Sequence, residues 1–265
     1  MTGRKGILAA GGVLDRIVEA KLIRVAELKR EPVAVAPGPG QAPRSMIEAL
    51  RNAGRTNIIA EIKRRSPSKG DLFAGLDPAI VAAAYEGGGA SCLSVLTDAD
   101  HFGGSVADLQ AARAACSLPV LRKDFTVGER DVLDTRIMGA DCVLLIAAAL
   151  DKQELAEFHQ LARTVGLDVL VEIHDEAELE VALAIEASII GVNQRDLVTF
   201  EVDHDRAVRM AAAIPANVVR VAESGVRDAA DAQSLRRAGY DAILVGESLV
   251  TSADPAAAIG RLRGR

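Results

Sequence analysis

A chain of 265 residues, 49% of them hydrophobic, is long enough for one large α/β domain or two small ones and can bury a substantial core. Its 31 basic and 37 acidic residues leave a net charge of -6, which gives no global attraction to nucleic acid or to an anionic membrane. Three cysteines, Cys92, Cys116 and Cys142, are odd in number and far apart, which speaks against a disulfide framework or a zinc site and for a reducing cytoplasm.

The opening MTGRKGILAAGG is too short in its apolar part and too rich in glycine for a secretory signal. The longest apolar run, residues 142–150, is about half of what a helix needs to cross a bilayer. The expectation is a cytoplasmic protein without membrane or nucleic-acid partners. Residues 13–30 set Leu14, Ile17, Val18, Leu22, Val25 and Leu28 at helical spacing with charge opposite, which predicts an amphipathic helix. The following EPVAVAPGPGQAP holds four of the nine prolines and predicts an extended surface connector. Residues 1–43 are therefore expected to form an N-terminal extension, and 44–265 the main domain.

From residue 57 the chain alternates between short β-branched apolar runs, near 58–62, 91–96, 120–123, 142–146, 168–173, 189–192, 218–222 and 242–245, and amphipathic segments. The segments carry start signals. Asp77-Pro78 and Asp254-Pro255 set an N-cap before a first-turn proline, and Asp151 with Glu154 and Asp175 with Glu178 have capping-box spacing. Four of them stop at a glycine just before the next run, as in MGADCVLLI and AGYDAILVG. Eight such units predict a (β/α)8 TIM barrel with an N-terminal helical extension. A doubly wound open sheet would bring a GxGxxG phosphate loop after its first strand, and none is present.

In a barrel of this kind the active site gathers at the carboxyl ends of the strands. Strand one ends in Glu61 and Lys63, strand three in Lys123 with Arg122 pointing the other way, and strand five in Glu172. Strand six ends in Asn193 and Arg195, strand seven in Glu223, Ser224 and Gly225, and strand eight in Gly246. Any one of these alone reads as a solvated rim residue. Two lysines, three carboxylates, an asparagine and an arginine converging on one mouth are costly to desolvate without mutual partners, and as a set they predict a functional site. AESG and VGES lie where such barrels bind phosphate through backbone N–H groups, so a phosphorylated small molecule is expected. His101, His159, His174 and His204 fall in different units with no ligand spacing, and neither metal nor cofactor is expected.

The segments IAEIKRRSPSKG, SVLTDADHFGGS, PVLRKDF, GADCVLLI, LVEIHDEAEL, IIGVNQRDL, RVAESGV and DAILVGESLV, in that order, resemble indole-3-glycerol phosphate synthase of tryptophan biosynthesis. The resemblance covers the barrel from about residue 44 onward, and the N-terminal helix looks like that family's extension across the barrel. It implies ring closure of 1-(2-carboxyphenylamino)-1-deoxyribulose 5-phosphate with loss of carbon dioxide and water. By match to the family motifs, Lys123 is the expected general acid and Glu172 the catalytic glutamate, with Glu61 and Asn193 orienting them. Lys63 would meet the substrate carboxylate or phosphate. Ser66, Ser224, Gly225 and Gly246 would be polar anchors, Phe125 a wall for the anthranilate ring, Arg195 a brace for rim carboxylates, and Glu223 a further site residue. The stretch RRSPSKGDL looks like a loop folding over a dianionic substrate, with Arg64, Arg65 and Lys69 either contacting it or steering it from solvent.

Two departures stand out: ERDVLD at 129–134, where the family usually carries a tyrosine-containing stretch, and Glu247, where small hydroxyl residues are common beside the phosphate loop. The sister isomerase barrel would be expected to carry a catalytic cysteine on the first strand, and a class I aldolase a Schiff-base lysine in an apolar pocket. Lys123 lies between Arg122 and Asp124. A non-catalytic paralogue would be marked by loss of Lys123 or Glu172. The expected assembly is a monomer or weak homodimer.

Overall fold

The computed structural model describes residues 13–28, 42–51, 55–67, 69–73, 75–196, 199 and 201–264. Eight strands, β1 (Asn57–Ile62), β2 (Cys92–Leu96), β3 (Val120–Lys123), β4 (Cys142–Ile146), β5 (Asp168–Ile173), β6 (Ile189–Asn193), β7 (Val219–Glu223) and β8 (Ala242–Val245), close into a parallel barrel. Each pairs with its neighbours in sequence, and β8 closes onto β1 with Asn57 opposite Ala242 and Ala60 opposite Val245. The apolar runs read from the sequence are these strands, displaced by a residue at most at either end.

A parallel barrel buries both faces of every strand, so its strands read as apolar runs rather than as alternations. The period of two still sorts the residues. Ile58, Ala60 and Ile62 of β1 face outward, where they share a core with Val81 of α3 (Pro78–Gly88), Leu109 of α5 (Val106–Ala114) and Ile259 of α12 (Pro255–Leu262). Ile59, Leu121, Leu144, Leu170, Ile189, Val221 and Leu244 face inward and fill the barrel.

Asp77 and Asp254 cap α3 and α12 ahead of a first-turn proline, as their spacing predicts. The capping box of α7 (Lys152–Thr164) is complete, with the Asp151 side chain on Glu154 N and the Glu154 side chain on Asp151 N. The second predicted box is only half formed. Asp175 caps α8 (Glu176–Ala184) at Glu178 N, but Glu178 Oε2 reaches past the cap to His174, accepting from its N at 2.7 Å and meeting Nδ1 at 3.2 Å. Helix α3 and α10 (Ala229–Ala238) end at Gly89 and Gly239, with φ of 91° and 106°, a region that glycine enters without steric cost.

The two ends of the barrel are covered differently. Helix α2 (Met46–Leu50) closes the amino end: Met46 and Leu50 join the inner core, and Met46 N and Ile47 N donate to Asp168 Oδ2 at the start of β5. Helix α1 (Val13–Leu28) lies over the carboxyl end, where Val18 and Val25 pack with Val127 and Lys21 reaches the loops after β2 and β3. The predicted helix continues to residue 30, but residues 29 and 30, and the proline-rich connector up to residue 41, lie outside the described residues. The 129–134 departure is absorbed by α6 (Glu129–Ile137). Val132 is buried, Asp131 Oδ2 accepts from Val127 N at 2.9 Å, and Arg130 pairs with Asp134 at 2.8 Å.

Candidate active site

A cavity of about 580 Å³ opens at the carboxyl ends of the strands. It is lined by Glu61, Lys63, Lys123, Glu172, Asn193 and Glu223, and by Ser66, Phe125, Arg195, Ser224, Gly225 and Gly246, so every site residue predicted from the sequence faces it. The strand period sends alternate side chains inward, and charged or amide side chains from five strands meet because the barrel is closed.

The charged residues form one interlocked set. Lys123 Nζ lies 2.8 Å from Glu172 Oε2 and 3.5 Å from Glu223 Oε2. Asn193 Nδ2 donates to Glu172 Oε1 at 2.9 Å, and Asn193 Oδ1 accepts from Arg195 N at 3.0 Å. Lys63 Nζ pairs with Glu61 Oε1 at 2.7 Å. Burial opposes ionisation of Glu172, but the Lys123 and His174 charges and the hydrogen bonds from Lys123 and Asn193 outweigh it and hold the carboxyl down at about 2. Burial likewise disfavours the Lys123 ammonium, yet Glu172, Glu223 and Glu61 together raise its pKa above the usual lysine value. Burial lifts Glu223 to about 8, with Lys123 pulling the other way and Glu172 and Glu61 adding to the rise. The result is an ammonium beside one ionised carboxylate and one carboxyl that titrates near neutrality.

Next to Lys123, Asp124 holds the strand end in place. It accepts from Arg122 at 3.0 Å, Thr97 at 2.6 Å and Phe125 N at 2.8 Å, and it pairs with Lys21 of α1 at 2.6 Å. Arg122 points away from the cavity, as expected, and donates to Asp131 O and Thr135 Oγ1. On the opposite side, Ser224 and Gly225 take φ of 65° and 75° in succession. That conformation is uncommon for serine, and such strain is often stored at functional sites. A Cβ on Gly246 would come within 2.5 Å of Glu61 Oε1, so the carboxylate occupies space that only glycine leaves open. The Oγ atoms of Ser66 and Ser248, both lining the cavity, are buried without a hydrogen-bond partner.

The loop after β1 is a short antiparallel hairpin in which Arg65–Ser66 pairs with Gly70–Asp71. Arg64 neither reaches the cavity nor stands free in solvent. Its guanidinium grips Asp108 at 3.0 and 3.1 Å and donates to Leu76 O, bracing the base of the hairpin, and Arg65 donates to Ala99 O. Lys69 bridges from the hairpin to Glu247 at 2.8 Å, which balances the charge of the residue departing from the phosphate-loop pattern.

Sequence reasoning missed three contributors. Ile17 lines the cavity, and Lys21 lies part-buried against Asp98 and Asp124, but a helical pattern does not say which surface a helix will cover. His174 lies two residues beyond Glu172, a spacing that does signal a shared face, with Nε2 3.5 Å from Glu172 Oε1. Among the described residues, no group of His, Cys, Asp and Glu is placed to hold a metal ion, and no helix is long and apolar enough to cross a membrane.

The family model described as indole-3-glycerol phosphate synthase matches residues 14–262. The chain belongs to the indole-3-glycerol phosphate synthase family. It is 50% identical over 234 residues to the protein of that name from Leifsonia xyli, with 88% of each chain covered. It is 45% identical over 259 residues to the one from a Polaromonas species, covering 95% of this chain and 98% of that one. Among solved structures, a thiamine phosphate pyrophosphorylase from Pyrococcus furiosus superposes with a TM-score of 0.59 at 14% identity, covering 82% of this chain and 96% of that one. An N-acetylmannosamine-6-phosphate 2-epimerase from Clostridium perfringens gives 0.60 at 11%, covering 80% and 93%. These two likenesses describe the barrel alone. As a member of the indole-3-glycerol phosphate synthase family the protein is a carboxy-lyase of tryptophan biosynthesis.

Proposed function

We propose that the cavity closes 1-(2-carboxyphenylamino)-1-deoxyribulose 5-phosphate to indole-3-glycerol phosphate with Lys123 as general acid and Glu172 as general base. The observation that carries this reading is the Lys123 ammonium held 2.8 Å from Glu172 at the barrel mouth. Attack of the ring carbon bearing the carboxylate on the ketone turns the carbonyl oxygen into an alkoxide, a far stronger base than a lysine amine, so Lys123 protonates it even with a raised pKa. Carbon dioxide then leaves and the ring regains aromaticity. Loss of the new hydroxyl as water needs a second proton, while a base takes one from the carbon next to nitrogen. Glu172, ionised and adjacent, is that base. The turnover consumes one proton from solution, because a carboxylate enters and neutral carbon dioxide departs.

Lys63, held by Glu61, meets the substrate carboxylate, and Phe125 walls the aromatic ring. Ser66, Ser224, Gly225 and Gly246, with Ser248, take the phosphate; the unpartnered buried hydroxyls of Ser66 and Ser248 support this. Arg195 fixes Asn193 through its backbone N–H. In this reading residues 1–43 are an N-terminal extension, of which α1 roofs the site, and 44–265 the catalytic barrel. Among the described residues, the exposed large apolar side chains Ile23, Ile80, Val106, Ile137 and Val208 lie on five different helices and Phe73 in the loop before α3, which supports a monomer or weak homodimer. Three free, buried thiols are in keeping with the cytoplasm.

The test is a fluorescence time course with the substrate and no added metal. The chain has no tryptophan, so a growing indole signal stands on a low protein background. Lys123→Met should lower kcat by orders of magnitude with substrate affinity within about tenfold, as expected for an interaction made mainly in the transition state. Near-normal turnover in that variant would remove the general-acid assignment.

A further inference from the structure

His174 has a nitrogen with no hydrogen-bond partner, and its surroundings define its charge. Its Nε2 is buried and lies 3.5 Å from Glu172 Oε1, too far for a hydrogen bond. Its Nδ1 lies 3.2 Å from Glu178 Oε2, which also accepts from the His174 backbone N–H. An ionised carboxylate only accepts, so Nδ1 must carry a proton. Glu172 is surrounded by donors, Asn193 on Oε1 and Lys123 on Oε2, and is therefore the ionised partner on the other side. A neutral ring would turn the Nε2 lone pair toward that anion. A protonated ring turns an N–H toward it.

The remaining neighbours do not oppose this state. Glu223 is the further acidic group nearby and adds negative charge only as it loses its proton near pH 8, and the 3-10 turn Ala147–Ala149, which packs against β5 and α8, has no titratable side chain. Burial works against the imidazolium, but the hydrogen bond to Glu178 and the charges of Glu172 and Glu178 raise the His174 pKa above its ordinary value.

We infer that His174 is a positioning residue for Glu172: an imidazolium, anchored by Glu178, that keeps the Glu172 carboxylate ionised and oriented while Lys123 gives up its proton. The inference rests on the assignment of Lys123 and Glu172 as acid and base. Once Lys123 has protonated the alkoxide, Glu172 loses the positive charge on Oε2 while remaining 1% exposed. A carboxylate so buried and left unpaired would bind a proton and cease to be a base. A shift of less than about 1 Å brings Oε1 and Nε2 within charge-assisted hydrogen-bond range. The half-formed capping box has its explanation here, since Glu178 leaves the Asp175 N–H and holds His174 instead.

The experiment pairs titration with kinetics on the whole enzyme. In protein with 13C-labelled histidine, with His174 assigned by its loss in His174→Gln, the His174 pKa should lie above 6.5 and fall by roughly one unit in Glu172→Gln. In His174→Gln, kcat at about pH 6 should fall about ten- to a hundredfold with KM within about threefold, as loss of a charge-assisted hydrogen bond to the base predicts. The ratio of wild-type to variant kcat should shrink toward one as pH rises through the His174 pKa read by NMR. Repeating the comparison in a Glu223→Gln background separates the titration of His174 from that of Glu223, to which it is electrostatically coupled. A His174 pKa unmoved by Glu172→Gln, or a kcat ratio flat with pH, overturns the inference and makes the imidazole a packing residue. If neither protein turns the substrate over while the titration shift persists, the proposed reaction fails and the Glu172–His174 pairing stands.

Discussion

Replacing Lys21 by methionine removes its ion pairs with Asp98 and Asp124, which tie α1 to the catalytic rim, while keeping most of the apolar stem. The ammonium lies 2.6 Å from Asp124 Oδ1 and 3.3 Å from Asp98 Oδ2, with side-chain exposures of 14%, 3% and 4%. Breaking a buried pair by removing one partner costs about 3–5 kcal/mol, because the surviving charge is left without compensation. Arg122, Thr97 and Phe125 N still hold Asp124, so the lower figure of about 3 kcal/mol applies here. Against this stand Ile17, Val18 and Val25, at 3%, 1% and 4% exposure. Together they contribute roughly 5–9 kcal/mol of apolar burial. Helix α1 should therefore stay docked on average but open far more often, and 3 kcal/mol corresponds to roughly a hundredfold in the opening equilibrium.

Hydrogen exchange read by mass spectrometry over residues 13–28 is the assay. Exchange in α1 should speed up by about a hundredfold while peptides of β1 to β8 keep wild-type protection. Substrate KM should rise, since Ile17 lines the cavity. Unchanged α1 protection would refute the reasoning and leave Lys21 as a solvent-compensated surface charge.

Three further outcomes follow from the same geometry. Glu223 has a folded-state pKa raised to about 8, so the native state holds its proton between the ordinary value of 4.5 and about 8, and that stability is lost as pH rises through this window. Urea unfolding at both ends of the window should show Glu223→Gln gaining on wild type as pH rises; a constant difference would mean that Glu223 ionises normally. Gly246→Ala places a methyl against Glu61, so kcat should fall about tenfold or more with the fold intact by circular dichroism, and unchanged kcat would show that Glu61 can move freely. Glu247→Gln breaks an exposed pair with Lys69, and urea unfolding should register a loss within about 1 kcal/mol; a larger loss would show the hairpin bridge to be a structural clasp.

The order of the barrel was legible in the chain because every signal that sets it is local. Asp77-Pro78, Asp151 with Glu154, and the glycines before β2 and β8 act over three or four residues, and the apolar runs between them need only be short and β-branched. The rim was legible for a related reason: once the strands are known, a period of two decides that Glu61, Lys123, Glu172 and Asn193 face inward. Arg64 was ambiguous in sequence because its partner Asp108 is 44 residues away, and charge alone does not distinguish a brace from a steering group.

By itself, then, the sequence determined the eight βα units, their caps and stops, the parity of each strand and the identity of the groups at the mouth. Only the tertiary structure decided how those groups share their charges. Burial and distance settle that Glu172 is ionised while Glu223 titrates near neutrality, although both are glutamates at strand ends. The difference lies in position around a closed ring: Glu172 lies 2.8 Å from Lys123 and also meets Asn193, whereas Glu223 lies 3.5 Å from the same ammonium and has a buried oxygen without a hydrogen-bond partner. Electrostatic energy depends on separations between residues far apart in the chain, and those separations exist only once the barrel has closed.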